Sequence, residues 1–502
     1  MASFDLALLV GAVVVLAAAW AARVGTRLGL PALLLFLLVG MLIGPIGFGV
    51  DFNDADLARG LGLAALVLIL AEGGLSTKWS AIRPALAPAA LLATVGSGVS
   101  IGLMTLFGHL ALGLDWTVAA LLGAATAPTD SAAVFSVLRG VPLPTRVRSA
   151  LEGESGLNDA PTVLVVIALS GWEVGRAPQG GLPGLAWHIG LELVGGILAG
   201  LIVGWVAVRV SRRISLPSSG LYAISALAWS VLAYGLAVGA GVSGFAAVYV
   251  ASVVIGNGDL PYSHATRSFA EGVGWMSQIG LFVMLGLLAN PDRLTWASVG
   301  EGVVAGLFLT LVARPLAVAV STPWFGFTVR EQAFLSWAGL RGAVPIILTT
   351  IPMSDRMPGS QKLFDVVLVL VVVFTCVQGP TLPAAGRVLG LVDPLAACDV
   401  DIEVAPLDEI DAELLQVTLP PDSRLHGVTV RELRLPRNVV VSLIIRGDVS
   451  FAPHSSTVLR TGDELLIVTP EEHRRVVQER LTEIGRAGRL ARWHGLRVRA
   501  EE

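Results

Sequence analysis

Apolar stretches of about twenty residues recur from the N-terminus to about residue 390, and no other feature constrains the fold as strongly. A helix of that length crosses the roughly 30 Å hydrocarbon core of a bilayer. Only 14% of the 502 residues are charged, and the mean hydropathy is +0.76, whereas a soluble protein carries about 25% charged residues. The sequence therefore predicts an all-α polytopic membrane protein.

The apolar pattern predicts thirteen transmembrane helices. They lie near 5–22, 30–47, 57–76, 86–110, 116–138, 151–171, 186–209, 219–238, 240–256, 272–289, 297–320, 332–352 and 363–388. Loops after odd-numbered spans carry bases such as Lys78 and Arg83, whereas loops after even-numbered spans carry acids such as Asp54 and Asp115. Because basic loops stay in the cytoplasm, we expect the N-terminus outside and the C-terminus in the cytoplasm.

Beyond a transmembrane domain at 1–390, residues 403–488 are predicted to form a small α+β cytosolic domain. Runs such as "NVVVSLIIRGD" and "DELLIVTP" indicate strands. The segment "EEHRRVVQERLTEIG" indicates a helix that stops at Gly485. The basic residues 489–502 are expected to be a solvated tail. The two cysteines indicate neither a disulfide framework nor a thiolate metal site, and we expect no cofactor.

Two spans are interrupted by helix-breaking and charged residues. The fifth contains "GAATAPTDSAAV", with Pro128 and Asp130 near mid-membrane, and the twelfth contains "WAGLRGAVPIIL", with Arg341. If spans one to six and eight to thirteen form two inverted repeats, each interrupted span is the fifth of its repeat. Broken helices at matching places indicate the midplane site of a secondary transporter, although Pro and Gly also kink helices that have no such role.

The sixth span opens with "LEGESGLNDAPTVLVV", residues 151–166, which places carboxylates inside the membrane. Asp159 lies roughly 16 Å from the cytoplasmic end of this helix, about half the hydrocarbon depth. Ser155 shares its face with Asp159, four residues later. Glu154 and Asn158 share the adjoining face. An ionised carboxylate at that depth costs about 2.5–3.5 kcal/mol unless it is compensated, so each acid must pair with a base or alternate between a proton and a cation.

Glu154 is predicted to be a permanently paired charge, with Arg314 or Arg341 as its partner. Asp159 and Asp130 then remain, with too few bases to neutralise both. Burial favours the protonated form of a carboxyl group, which lets protons and cations compete for the same oxygens. These two residues are therefore the candidates for exchange, and a buried structural salt-bridge cluster is the alternative interpretation.

The donors beside these acids are hard oxygens, which suit K⁺ or Na⁺ rather than a soft metal. They are the hydroxyl of Ser155, the side chain and backbone of Thr129 and the two aspartates, Asp130 and Asp159. Glu72, in "LILAEGGLS", is a further intramembrane acid. We expect it either to line the cytoplasmic approach or to snorkel from the end of its helix.

Five of these segments resemble the signatures of a known family. "AEGGL", "ATAPTD", "LEGESGLNDA", "ARPLAV" and "GLRGAVP" are similar to the motifs of monovalent cation/proton antiporters of the sodium/proton-exchanger type, in the branch with Asn-Asp. The resemblance covers essentially the whole membrane part, with Gly156 as a departure where exchangers often have Leu. In the tail, "LHGVTVRELRLP" and "RTGDELLIV" resemble the TrkA C-terminal (RCK-C) domain. The combination is similar to bacterial potassium/proton antiporters.

The resemblance implies an electroneutral antiporter in the bacterial inner membrane, built as a homodimer of thirteen-helix protomers. It implies that Asp159 binds the proton and the cation in turn. It implies cation co-ligands at Asp130, Ser155 and Thr129. It implies supporting roles for the remaining residues, in which Asn158 fixes its helix, Glu154 pairs with Arg314, Arg341 compensates the broken helices and Glu72 contributes through water.

The sequence thus predicts a transporter, not an enzyme, that exchanges cytoplasmic K⁺ or Na⁺ for external protons. The alternative is a gated cation channel or uptake system controlled by the RCK-like tail, but no filter sequence such as Thr-Val-Gly-Tyr-Gly occurs. Selectivity depends on cavity size, and the tail favours K⁺ by analogy alone. For 403–488 we expect a small regulatory ligand or a dimerising role, and no nucleic acid partner is expected.

Overall fold

The computed structural model describes residues 9, 11–21, 32–44, 52, 54–138, 143–173, 181–258, 260–289, 293–391, 401–407, 412–420, 423–447, 449–470 and 473–487. The residues up to 138 and from 145 to 391 belong to one compact helical unit, and those from 401 belong to a second, smaller unit. The predicted tail at 489–502 lies outside the described residues.

The larger unit consists of helices. Those of its first half are α1 (Gly11–Ala21), α2 (Ala32–Ile43), α3 (Ala55–Ser76), α4 (Arg83–Leu110), α5 (Trp116–Thr126), α6 (Ser131–Val137) and α7 (Thr145–Glu173). Those of its second half are α8 (Gly181–Ser211), α9 (Ser219–Gly239), α10 (Gly244–Gly256), α11 (Ser263–Leu288), α12 (Trp296–Ser321), α13 (Val329–Trp337), α14 (Ala343–Ser354) and α15 (Ser360–Val388). A short turn of helix, Trp79–Ile82, precedes α4.

Among the described residues, seven helices are long and apolar enough to cross a membrane: α3, α4, α8, α9, α11, α12 and α15. Shorter apolar helices occupy other predicted spans, and the charged α7 occupies the sixth. The prediction of a polytopic helical membrane protein is confirmed, while the number of thirteen crossings stays a prediction. The fifth and twelfth spans each contain two helices, α5 with α6 and α13 with α14, separated at the predicted interruptions.

Helices α4 and α12 share an irregularity. Each contains one π-helical turn, at Leu92–Gly96 in α4 and at Leu309–Ala313 in α12. The turn of α4 packs against the C-terminal part of α12, where a Cβ on Gly96 would lie 3.0 Å from Ser321 Oγ. These helices are the fourth spans of the two predicted repeats, so the irregularity recurs at corresponding places.

The helices of the larger unit pack as two bundles. The first bundle contains α2, α3 and α8 to α11, and the second contains α4 to α7 and α12 to α15. Glycine allows close approach inside the first bundle, since a Cβ on Gly40 of α2 would lie 2.9 Å from the Cα of Gly286 in α11. Small residues at helix contacts are typical of membrane bundles. Helix α3 lies against α14 where the bundles meet, which brings the first bundle next to an interrupted helix.

The smaller unit is an antiparallel sheet with one helix, α16 (Arg474–Ala487). The strands, β1 (Asp401–Leu407), β2 (Ala412–Thr418), β3 (Val440–Arg446), β4 (Val449–Phe451) and β5 (Asp463–Pro470), are ordered β1-β2-β5-β3-β4. Burial alternates along β5, and its inward side chains form a core with Leu481 and Ile484 of α16. The α+β prediction is confirmed, although the sequence did not indicate β1.

The predicted helix stop at Gly485 is wrong, because α16 continues to Ala487. The Gly485 carbonyl accepts a hydrogen bond from the backbone N–H of Arg424 at 2.9 Å, which ties the end of the helix to the loop before β3. Glycine is frequent just after the end of a helix because it tolerates a left-handed backbone conformation. At Gly485 the backbone is helical, and the loop supplies the partner that a carbonyl in the last turn lacks within its own helix.

A buried carboxylate fixes the pairing of β3 with β5. Asp463 is fully buried, and Arg446, its register partner, donates from Nε and Nη2 to its two oxygens at 2.7 Å each. The backbone N–H of Arg460 donates to the same carboxylate at 2.7 Å. The hydrogen bonds that Arg446 donates to Asp463 raise the pKa of Arg446 above its usual value. A buried charge with this many partners is stable only in one strand register.

Candidate cation site

The two helix interruptions cross and complete each other's hydrogen bonds. The backbone N–H of Asp130 donates to the carbonyl of Leu340 at 2.9 Å. Arg341, whose side chain is buried, donates from Nη1 to the carbonyl of Pro128 at 3.0 Å. Helix ends carry backbone groups without partners in their own helix. Here each interruption supplies partners for the other, so both can persist inside the membrane.

Asp130 caps the second half of the fifth span. Its Oδ1 accepts from the backbone N–H of Ala133 at 3.1 Å, at the N-terminus of α6. The partial positive charge of a helix N-terminus stabilises a carboxylate there. Gly342, the residue before α14, gives this carboxylate its space, because a Cβ at that position would overlap it. The two broken helices therefore meet at one carboxylate.

Helix α7 is joined to this crossing by two hydrogen bonds. Ser155 Oγ accepts from the backbone N–H of Ser131 at 3.1 Å, and Asn158 Nδ2 donates to Thr129 Oγ1 at 2.8 Å. Asp159 lies in the next position of α7 and is only 7% exposed. Its Oδ1 is buried and has no hydrogen-bond partner among the described residues. A buried carboxylate oxygen without a donor needs a proton or a cation.

Glu154 and Arg314 form a buried ion pair behind the crossing. The two terminal nitrogens of the guanidinium, Nη1 and Nη2, face the carboxylate. Nη2 donates to Glu154 Oε2 at 2.8 Å and to the carbonyl of Leu335 at 3.3 Å. Gly339 makes room for the arginine, since a Cβ there would lie 2.7 Å from Arg314 Nε. The sequence leaves Arg314 and Arg341 as possible partners of Glu154. In the structure Arg314 contacts Glu154, whereas Arg341 donates to the Pro128 carbonyl.

A cavity of about 550 Å³ reaches the two aspartates. Its inner part is lined by Thr129, Asp130, Ser155 and Asp159, and its outer part by Glu72, Lys78, Arg148 and Glu152. Glu72 accepts from Ser76 Oγ at 3.1 Å, and Arg148 lies 3.0 Å from Glu152, one turn apart on α7. The outer part of the cavity thus carries Lys78, one of the bases that the sequence assigns to the cytoplasmic side.

The donor set of the site is composed of oxygens. Among the described residues, no group of three or more histidines, cysteines or acids is placed to hold a metal ion permanently. Carboxylate, hydroxyl and carbonyl oxygens are the ligands that hard cations prefer. Two carboxylates with a hydroxyl and a helix end suit a weakly held alkali cation better than a permanently bound metal.

The membrane part matches a known protein family. The family described as "Sodium/hydrogen exchanger, transmembrane" matches residues 12–387, which is more than half of the chain. The chain belongs to the sodium/hydrogen exchanger family. A second family, described as the TrkA-C domain, matches residues 414–482 of this exchanger.

Relatives of this exchanger include named antiporters. "K(+)/H(+) antiporter NhaP2" of Shewanella oneidensis is 33% identical over 501 residues, which cover 97% of this chain and 85% of that protein. "K(+)/H(+) antiporter NhaP" of Alkalimonas amylolytica is 35% identical over 479 residues, which cover 93% of this chain and 82% of that protein. These alignments extend through both the helical and the TrkA-C parts.

Solved structures support the fold. The sodium proton antiporter MjNhaP1 from Methanocaldococcus jannaschii superimposes with a TM-score of 0.65 at 19% identity, over 78% of this chain and 99% of that one. At this identity the likeness concerns the fold alone. The exchanger family therefore accounts for the membrane unit in both sequence and architecture.

Some residues that line the cavity of this exchanger are not indicated by the sequence. Tyr249 of α10 and Gln278 of α11 line the cavity, but neither belongs to a motif or an interrupted helix. The one signal was Gly156, the departure from the family pattern. In the structure a Cβ on Gly156 would overlap the Tyr249 hydroxyl oxygen, so the missing side chain marks the place of the tyrosine.

Proposed function

We propose that this exchanger moves cytoplasmic K⁺ or Na⁺ outward in exchange for external protons, and that Asp159 binds the two in turn. The observation that carries the proposal is the buried Asp159 carboxylate at the inner end of the cavity, with one oxygen that no described residue hydrogen-bonds. Asp130, Ser155 and Thr129 line the same end of the cavity. They are the co-ligands of the proposed cation.

The charge of the site supports one-for-one exchange. Three carboxylates, Glu154, Asp130 and Asp159, stand with two guanidinium groups, Arg314 and Arg341. One negative charge is left, and a single proton or a single monovalent cation neutralises it. An uncompensated carboxylate at this depth costs about 2.5–3.5 kcal/mol. The site is therefore expected to change its exposure from one side of the membrane to the other only when it carries a proton or a monovalent cation. Each crossing then carries the same net charge, so exchange is electroneutral.

The supporting residues hold the geometry of the exchange site. Asn158 links α7 to Thr129, and the pair of Glu154 with Arg314 fixes α7 to the second half of the unit. Arg341 neutralises the crossing and holds the Pro128 carbonyl. Glu72, farther out in the cavity, contributes through water.

The finer assignments belong to the same proposal. K⁺ is favoured over Na⁺ because the relatives that span both parts of the chain are named K⁺/H⁺ antiporters. We place the protein in the bacterial inner membrane as a homodimer, with its N-terminus outside. Residues 1–390 form the exchanger domain, and residues 403–488 form a cytoplasmic regulatory domain that binds a small ligand. No comparison favours the channel alternative.

Everted membrane vesicles test the proposal. With a pH gradient set by respiration and followed with a fluorescent dye, addition of K⁺ should dissipate the gradient, and Asp159→Asn should abolish the response. A series of K⁺, Na⁺ and Li⁺ concentrations then ranks the cations. Cation flux without proton movement, or full exchange by Asp159→Asn, would refute the proposal.

Asp365→Asn provides the matched control. Asp365 is another buried acid of the membrane unit, on α15, but it does not line the cavity. Its removal should leave the response to K⁺ in place. Equal loss in both variants would mean that the vesicles report the folding of the membrane unit rather than the chemistry of Asp159.

A further inference from the structure

Tyr249 stands between two cavities of the membrane unit. The first is the polar cavity that reaches Asp159, and the second is an apolar cavity of about 640 Å³ between α4, α7, α8 and α10. Only three residues line both, Thr77, Gly156 and Tyr249, among those the structure describes. Since glycine has no side chain and threonine a short one, the phenol ring of Tyr249 is the largest side chain that the two linings share.

The tyrosine is closely fitted to α7. Tyr249 is 9% exposed and comes from α10 in the first bundle, whereas Gly156 belongs to α7 in the second. A Cβ on Gly156 would overlap the hydroxyl oxygen and lie 2.8 Å from the ring carbon Cε2. A Cβ does not approach non-bonded atoms this closely, so the ring fills the space that Gly156 leaves free. The fit closes the boundary between the bundles beside the aspartate.

The surroundings of the hydroxyl are polar on one side only. It lies near the side chain of Thr77, and the carboxylate of Asp159 is within electrostatic range. On the other side the apolar cavity is lined by residues such as Leu157, Ile197 and Val253. The side chain therefore presents its polar tip to the charged cavity and its ring to the apolar one, as amphipathic side chains do at such boundaries.

We propose that Tyr249 is a positioning residue of the exchange reaction: its ring confines the cation and its water to the Asp159 side, and Gly156 provides the space for that ring. This rests on the proposed exchange at Asp159. A charge pair interacts more strongly where water is excluded. With the ring in place, the Asp159 carboxylate meets water only from the polar cavity, which keeps its attraction for the cation strong.

Cysteine labelling tests the barrier without relying on transport. In a chain with Cys376 and Cys398 replaced by serine, Ala90→Cys on α4 places a thiol in the apolar cavity. A charged, membrane-impermeant thiol reagent added to everted vesicles should leave this thiol unmodified. Adding Tyr249→Ala should join the cavities and make the thiol reactive. An unreactive thiol in that variant would refute the barrier.

Two further substitutions distinguish the loss of the Tyr249 ring from a general disturbance of the fold. Tyr249→Phe keeps the ring, so the thiol should stay unreactive, and reactivity equal to that of Tyr249→Ala would contradict the proposal. Gly156→Ala displaces the ring and should also expose the thiol, yet add nothing in the Tyr249→Ala background. It keeps the test valid if Tyr249→Ala fails to fold. Additive effects of the two substitutions would contradict the proposed contact.

A matched control comes from the same bundle. Tyr234 on α9 also covers a glycine, since a Cβ on Gly244 would lie 2.7 Å from its ring carbon Cδ2, but it lines neither cavity. Tyr234→Ala should leave the thiol unreactive, and a reactive thiol there would attribute the labelling to general loosening and overturn the proposal.

Transport supplies the second measurement. Tyr249→Ala should raise the KM for the cation about fivefold or more, the effect of losing a modest electrostatic attraction, with a smaller change in the maximal rate. A change in maximal rate alone would refute the positioning role. If Asp159→Asn retained exchange while the labelling followed the expected pattern, the barrier would stand and the proposed role of Asp159 would fall.

Discussion

Glu154 and Arg314 show how a charged side chain can be buried inside the membrane unit. Their side chains are only 1% and 5% exposed, and two guanidinium nitrogens face the two carboxylate oxygens. Desolvation of each ion is expensive, and the attraction between them offsets it only when the geometry is good. Removing one partner leaves the other charge buried without compensation, so the pair is a structural element on which the position of α7 depends.

We therefore expect Glu154→Gln or Arg314→Gln alone to destabilise the protein by about 3–5 kcal/mol, and the double variant to lose much less than the sum. Thermal unfolding of the purified protein in detergent measures all three. Glu152→Gln is the control, because its pair with Arg148 is partly exposed and worth about 1 kcal/mol or less. Additive losses in the double variant would contradict the pairing.

At the scale of elements, the two interrupted helices depend on glycine at the point where they cross. Gly342 precedes α14 with φ −99° and ψ −142°, so its φ is negative and lies outside the left-handed region that favours glycine. Its requirement is therefore steric: a Cβ would overlap the Asp130 carboxylate. The position of α14 is coupled in this way to a proposed cation ligand.

Gly342→Ala should accordingly displace Asp130 and lower the rate of K⁺-dependent proton movement by about tenfold or more, because small misplacements of reacting groups are costly. The vesicle assay described above measures the rate. Gly60→Ala on α3 is the control, since no atom outside its helix lies within 4 Å of a Cβ there. A Gly342→Ala variant as active as this control would show that the crossing has free space.

The elements differ in how far the sequence predicted them. The interruptions were predictable because Pro128, Gly339 and Gly342 are local signals that need no knowledge of packing. The partner of Glu154 was not, because Arg314 lies 160 residues away and the relative rotation of two helices is not encoded in either one. The same holds for Tyr249, whose role depends on the meeting of two bundles. Strand β1 was missed because its pairing with β2, rather than a strong pattern of its own, defines it.

At the scale of the whole membrane unit, the cavity that reaches the two aspartates lies toward one end, called open here. The other end is called closed because none of its described residues lines that cavity. The open cavity is lined by Glu72 near the C-terminal end of α3. Arg59 lies thirteen residues earlier on this helix, which is roughly 20 Å away at 1.5 Å per residue. There Arg59 Nη1 lies 3.3 Å from Asp355 Oδ1, and Ser354 Oγ donates to Asp56 Oδ1 at 2.5 Å. These contacts join α3 of the first bundle to the end of α14 in the second.

Exchange between two compartments requires this closed end to open in another state, and its ion pair opposes that opening. The pair is 31% and 24% exposed, and ion pairs of this kind are worth about 1 kcal/mol or less. Arg59→Ala should therefore raise the population open at this end by at most about fivefold. Thr350→Cys, fully buried on α14, reports that opening through its rate of modification by an impermeant thiol reagent added from this side.

The control is an ion pair at the same end that lies within one bundle. Lys362 Nζ is 2.8 Å from Glu301 Oε1, which joins α15 to α12. Because both helices belong to the second bundle, Glu301→Ala should leave the modification rate of Thr350→Cys unchanged, whereas Arg59→Ala raises it. If the two substitutions raised the rate equally, the contact between the bundles would not govern opening. If neither did, the closed end would depend on apolar packing between α3 and α14, such as that of Gly62 against Ile347.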